Sequence, residues 1–216
     1  MLKIDKMLTN ECWKGANTKQ AIIIHHTGSS RNTLFRNIVN FFKRRDYISV
    51  HYVVGRNEED GIVQMVDEND RAWHAGASQW GDLKDLNHSS IGIEVLSDGH
   101  TFTDWQRDKV RELCMDIMKR NEISPSMVLR HADIAPKRKW DIGVNFFKEK
   151  WGTWQGFQQS LKEDPERDLK ELHATELDLL GTIREAIKQL NKIHALITKA
   201  EGRKNVPFKL TKARSR

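Results

Sequence analysis

Residues 20–26 contain three consecutive β-branched positions, Ile22, Ile23 and Ile24, and predict a buried strand that ends on His25 and His26. In "NTLFRNIVNFFKRRD", Leu34, Ile38, Phe41 and Phe42 recur at helical spacing, so a helix follows. "SVHYVVGR" and "GIVQMV" read as two strands joined by a turn around "NEEDG". "SSIGIEVLSDG" is another strand running into a turn. "TDWQRDKVRELCMDIMKRN" is an amphipathic helix with a cap at Thr103. "MVLRHADIAP" is a short apolar segment leading into a Pro-containing loop. Strands alternating with helices predict an α/β fold with a central mixed sheet flanked by helices.

The pattern changes near Glu163. From there to Ala200 the chain has no aromatic residue, and Leu180, Ile183, Ile187, Leu190 and Ile197 keep a spacing of three or four. Leu172, Leu179 and Ile193 widen the stripe, and Pro165 suits the first turn of a helix. We therefore expect two parts: a mixed-sheet domain over residues 1–162, and a long C-terminal amphipathic helix with a basic tail over residues 163–216. That apolar face is too broad for a strict coiled-coil seam.

The 216 residues are enough to bury a core without disulfide staples. Cys12 and Cys114 show no CxxC spacing and read as reduced thiols rather than a pair. The first twenty residues lack an apolar leader core, and no apolar run reaches membrane-spanning length. A chain made in the cytoplasm is expected, acting on a cell wall only if released at lysis. A net charge of +6 suits an anionic partner: nucleic acid, membrane surface or wall polymer. No nucleic-acid reader motif is present and the basic residues are mixed with acids, so nucleic acid is not expected.

Side chains alternate faces along a strand, so His25 and His26 point opposite ways, and at most one joins any given metal site. In "RHADIAPKRKWDIG", His131 and Asp141 bracket a loop holding Pro136, Lys137, Arg138 and Lys139. Two imidazoles and a carboxylate leave one open position on a zinc ion, the pattern of catalytic sites. Glu94 shares a strand face with Gly92, which leaves space before it. It reads either as a solvent-facing residue or as a general base aimed across the sheet. "RAWHAGAS" offers Trp73 and His74 as a groove floor, or simply as a packed aromatic and a turn.

These stretches together, in this order and spacing, resemble the type 2 N-acetylmuramoyl-L-alanine amidases, a zinc-dependent family that shares its fold with phage amidase lysozymes and peptidoglycan recognition proteins. The resemblance covers roughly residues 20–143. It implies that His25, His131 and Asp141 hold zinc, that Glu94 is the catalytic carboxylate, and that Lys139 sits near the reacting carbonyl. It also implies that Trp73, His74 and Asn87 line the substrate groove, and that His26 is a hydrogen-bonding neighbour. "DIG" stands at Asp141 where the family often has "DPG". The implied activity is hydrolysis of the amide between N-acetylmuramic acid and L-alanine, as an endolysin. The alternatives are a cytoplasmic muropeptide-recycling amidase and a peptidoglycan-binding module without activity. For the C-terminal helix, contact with anionic membrane or wall, packing on the catalytic part and pairing with another copy all stay open. Trp151 and Trp154 are expected to pack, and Trp73 and Trp80 to flank the groove.

Overall fold

Strand alternation decides how this molecule is layered. In the computed structural model, which describes residues 2–162 and 165–202, β1 (Asp5–Lys6), β2 (Ala21–His26), β3 (Tyr52–Val54) and β4 (Ile62–Gln64) precede a short hairpin, β5 (Gln79–Trp80) and β6 (Leu83–Lys84). β7 (Ser90–Val95) and β8 (Val128–Arg130) complete the set. The main sheet runs β1-β4-β3-β7-β2-β8. Its neighbours are parallel except β3 and β4, which form the antiparallel pair around the "NEEDG" turn. The mixed sheet expected from the sequence is therefore present. The two-residue strand β1 and the β5–β6 hairpin are additions that such short segments could not announce by periodicity.

One face of the sheet carries Ile22, Ile24, Ile91, Ile93 and Val95, packed under α2 (Asp104–Asn121) through Val110, Leu113 and Ile117. The other face carries Val53 and Val63 beneath α1 (Phe35–Arg44), which contributes Ile38, Val39 and Phe42. Thr103 caps α2 as expected. Its Oγ1 accepts from the Gln106 amide at 3.1 Å, and the Gln106 side chain accepts from the Thr103 amide at 3.1 Å. Gln106 also donates to the carbonyls of Gly55 and Leu96, which fixes the helix start over the ends of β3 and β7.

After β8 come α3 (His131–Ile134), α4 (Lys148–Trp151) and α5 (Trp154–Ser160). Trp154 is buried against Phe147 and Phe157, and Trp151 stacks edge-on to Phe157, so both pack as expected. Buried Arg107 ties this region to α2. It donates to the Phe146 carbonyl at 2.9 Å and the Asn145 carbonyl at 3.1 Å, and pairs with Glu149 at 2.6 Å. Cys12 and Cys114 are both free thiols, and burial pushes the Cys114 thiol far up from its ordinary pKa.

Met1–Lys162 and Glu163–Arg216 form separate compact units. Within the second, α6 (Pro165–Ala200) is one continuous helix; from Leu172 onward its apolar side chains are largely exposed. The basic end of the tail, residues 203–216, lies outside the described residues. No helix among the described residues is long and apolar enough to cross a membrane.

Candidate metal centre

β2 and β7 are parallel neighbours in a register that places His25 beside Glu94. Both side chains leave the sheet on the face opposite α2, since Ile24 and Ile93, one residue earlier, occupy the α2 face. His26 accordingly turns away from His25. His131 opens α3 immediately after β8, and β8 pairs with β2 on its other side. The loop after α3 folds back so that the Asp141 carbonyl accepts from the Ala132 amide at 2.6 Å. This return brings Asp141 onto the two imidazoles.

Nδ1 of His25, Nδ1 of His131 and Oδ2 of Asp141 form a buried triangle with edges of 2.8, 3.3 and 2.9 Å. Ligand atoms about 2.0–2.1 Å from a tetrahedral zinc ion stand about 3.3 Å apart, so the donor set fits that ion in size and chemistry. The electrostatics agree. Burial lowers the His25 pKa to about 4, which keeps its ring neutral and its lone pair free. Burial alone would raise Asp141, but hydrogen bonds with His131 and His25 outweigh it and hold the carboxyl well below the ordinary range.

The far nitrogens are also engaged. Nε2 of His131 lies 3.1 Å from the Ala75 carbonyl, and Nε2 of His25 lies 2.9 Å from Nδ1 of His74. If the Nδ1 atoms face a cation, both Nε2 atoms carry protons and donate outward, the usual support for metal-bound histidine. His74 continues the line: its Nε2 is 3.4 Å from Oγ of Ser90, which donates to the Leu86 carbonyl at 2.5 Å. Burial, then the nearby rings of His25 and His51, holds His74 neutral.

The expected space before Gly92 is filled by the His74 ring, since a Cβ at Gly92 would stand 2.6 Å from His74 Cγ. Asn87 is buried behind that loop. Its Oδ1 accepts from the amides of His74 and Ala75 at 3.0 and 2.7 Å. Asn87 therefore holds the loop and does not line the groove, a correction to the sequence expectation. His74 touches the cleft, but its ring nitrogens are turned to His25 and Ser90. His26 also differs from expectation. Its Nδ1 is buried with no hydrogen-bond partner among the described residues, and its ring packs on Trp140 and Phe102.

A cleft of about 350 Å³ opens over the triangle. Glu94, Lys139 and Trp73 line it, and α1 supplies an apolar wall of Ile38, Phe41 and Phe42. That wall was missed in the sequence, where its residues read only as a stripe at helical spacing. Trp80 lies on the β5–β6 hairpin and is not among the lining residues. Glu94 is half-buried, and no protein donor among the described residues reaches its carboxylate. Burial and then the charge of Asp141 raise its pKa well above 4.5, while Lys139 partly offsets them.

A mixed sheet bearing a His-His-Asp triangle beside an unpaired carboxylate defines a type 2 amidase architecture. The chain belongs to the N-acetylmuramoyl-L-alanine amidase family, whose model matches residues 15–144. It is 38% identical over 117 residues to the 1,6-anhydro-N-acetylmuramyl-L-alanine amidase AmpD of Haemophilus influenzae, covering 53% of this chain and 59% of that protein. It is 33% identical over 155 residues to the N-acetylmuramoyl-L-alanine amidase AmiD of Escherichia coli, covering 65% and 52%. The chain thus spans little more than half the length of these curated relatives. The solved complex of Escherichia coli AmiD with anhydro-N-acetylmuramic acid-L-Ala-D-gamma-Glu-L-Lys superposes with a TM-score of 0.55, at 32% identity over 66% of this chain and 57% of that one. A mutant endolysin from Bacillus subtilis shares the fold, with a TM-score of 0.58 at 21% identity over 74% and 99%.

Proposed function

We propose that this chain hydrolyses the amide between N-acetylmuramic acid and L-alanine, acting on soluble muropeptides. The observation that carries the chemistry is the His25–His131–Asp141 triangle with Glu94 free beside it. Zinc held by His25, His131 and Asp141 would supply Lewis acidity toward the amide carbonyl and an acidified water molecule. Glu94 is the proton acceptor: it stands one strand over from His25, unpaired, and burial raises its pKa well above 4.5, which strengthens it as a base. The same carboxyl then returns the proton to the departing L-alanine nitrogen. Lys139, in the cleft wall, faces the negative charge that develops on the carbonyl oxygen. Trp73 and the α1 wall give the muramyl ring apolar surface to lie on.

Soluble muropeptide takes precedence over the endolysin role first expected. The relatives at 33–38% identity are named for muramyl-L-alanine amidase activity, one of them on the 1,6-anhydro form. The endolysin likeness, at 21% identity, carries the fold alone. A cytoplasmic site of action belongs to this same reading.

The deciding experiment supplies purified protein with a 1,6-anhydro-muropeptide and, separately, with intact peptidoglycan. Each is run with chelator and again after zinc is restored. Newly freed L-alanine amino groups that vanish with chelator and return with zinc support the amidase. Faster release from the soluble fragment supports the muropeptide assignment, and faster release from intact wall returns the protein to the endolysin reading. Reducing ends without amino groups mean a glycosidase. Tight wall binding without product means a recognition module.

A further inference from the structure

We propose that α6 is a self-association element: two copies of this chain pair through it, antiparallel. The argument starts from spacing. Leu172, Leu179, Ile183, Ala186, Leu190, Ile193 and Ile197 fall on alternating steps of three and four residues, with Glu176 completing the series. A step averaging 3.5 residues, sustained for more than three heptads, keeps one seam facing a partner helix of the same kind. Those leucines and isoleucines are 38–68% exposed, so the seam is open along its length. Leu180 and Ile187 on one side and Leu196 on the other make the face broader than a strict two-residue seam, as the sequence predicts, and enlarge the contact with a partner.

Charge selects the occupant and its direction. Residues 165–183 carry five acidic and two basic side chains, and residues 184–200 carry four basic and one acidic. The helix is thus acidic in its first half and basic in its second, nearly neutral overall. An anionic lipid surface asks for a cationic polar face along the whole helix, and this one lacks it. A second copy laid antiparallel sets each acidic half against a basic half, whereas a parallel copy sets like against like. Centred on Ile183 and Ala186, the antiparallel pair stacks Leu179 on Leu190 and Leu172 on Ile197. Glu176 is the one charged seam position, the kind of residue that fixes register at a cost in stability.

The test uses the full chain, and its readouts are mass and distance, so it stands apart from any result on activity. Sedimentation should give twice the 25.1 kDa of one chain. With Cys12→Ser to leave one reactive thiol, a spin label at Lys199→Cys should report about 40 Å between copies. Antiparallel pairing offsets the two labels by some thirty residues at about 1.5 Å each. A separation under about 20 Å means parallel pairing and overturns the proposal. So does a monomer, including one that floats with anionic vesicles, which identifies a membrane helix instead. Leu190→Asp should give a monomer with unchanged helicity, while Lys188→Ala, on the outer face, should stay paired. If Leu190→Asp loses its helix, the wild-type mass and the label distance still decide.

Discussion

Nδ1 of His74 lies 2.9 Å from Nε2 of His25, so the imidazole that touches the cleft also braces His25 from behind. With His74 Nδ1 as acceptor, the contact keeps the proton on Nε2 of His25 and leaves Nδ1 facing His131 and Asp141. Losing such a support typically costs ~10–100-fold in metal affinity. His74→Ala should show that loss in a zinc competition titration against a chelator. His74→Asn, whose amide oxygen can stand where Nδ1 does, should recover part of it. Equal affinity in His74→Ala and wild type would make the contact incidental.

Gly92 is the counterpart of that ring. A methyl group there would stand 2.6 Å from His74 Cγ and Nδ1, inside any tolerable contact. Gly92→Ala should therefore lower thermal stability by about 1–3 kcal/mol, the usual cost of overpacking. It should also weaken zinc binding in step with His74→Ala. In the double variant the two effects on zinc should fall short of their sum, because both act on one contact.

How far the sequence alone reaches is clear from this pair. Alternation along "SIGIEVLS" put Glu94 and Gly92 on one face, and "AIIIHH" put His25 and His26 on opposite faces; both follow from backbone geometry. Alternation could not say what fills the space before Gly92, because His74 arrives from a loop with no period. Asn87 was misplaced for the same reason: a polar residue in a loop can serve solvent or backbone amides, and only the folded loop decides. The grouping of His25, His131 and Asp141 was legible through motif order, since an isolated His131–Asp141 spacing is common. The apolar cleft wall was hidden because Ile38 and Phe42 serve both the core and the groove from one helix stripe.

Arg107 should matter to the site at a distance. Its guanidinium donates to the carbonyls of Asn145 and Phe146 a few residues beyond Asp141, and it is buried. Truncation leaves these carbonyls without their donor, at about 1–3 kcal/mol for each buried group so exposed. Arg107→Ala should lower the melting temperature and loosen zinc binding. Arg107→Lys should recover little, because one ammonium cannot reproduce the guanidinium fork.

On the proposed mechanism Lys139 belongs to the reaction rather than to the metal. It lines the cleft beside Glu94 and Asp141. On the proposed mechanism its ammonium meets charge that exists only in the transition state. Lys139→Ala should then cost ~10²–10³ in kcat, the scale for removing one such donor, with zinc affinity close to wild type. A fully active Lys139→Ala would remove Lys139 from the mechanism.

Glu94 should trade stability for chemistry, and the sign follows from its raised pKa. Burial first, then the charge of Asp141, disfavours the ionised carboxyl in the fold. Between its unfolded pKa near 4.5 and its higher folded value, the native state holds more protons than the unfolded one. Stability contributed by this group is therefore full at low pH and falls as pH rises through that window. Glu94→Gln keeps the shape and carries no charge. In metal-free protein it should melt higher than wild type at neutral pH, with the difference closing below about pH 4, where both side chains are neutral. Amide hydrolysis should be lost in the same variant at every pH, because glutamine cannot accept the proton. A variant that melts lower than wild type at neutral pH would mean that Glu94 is stabilised by partners in the cleft and is no free base.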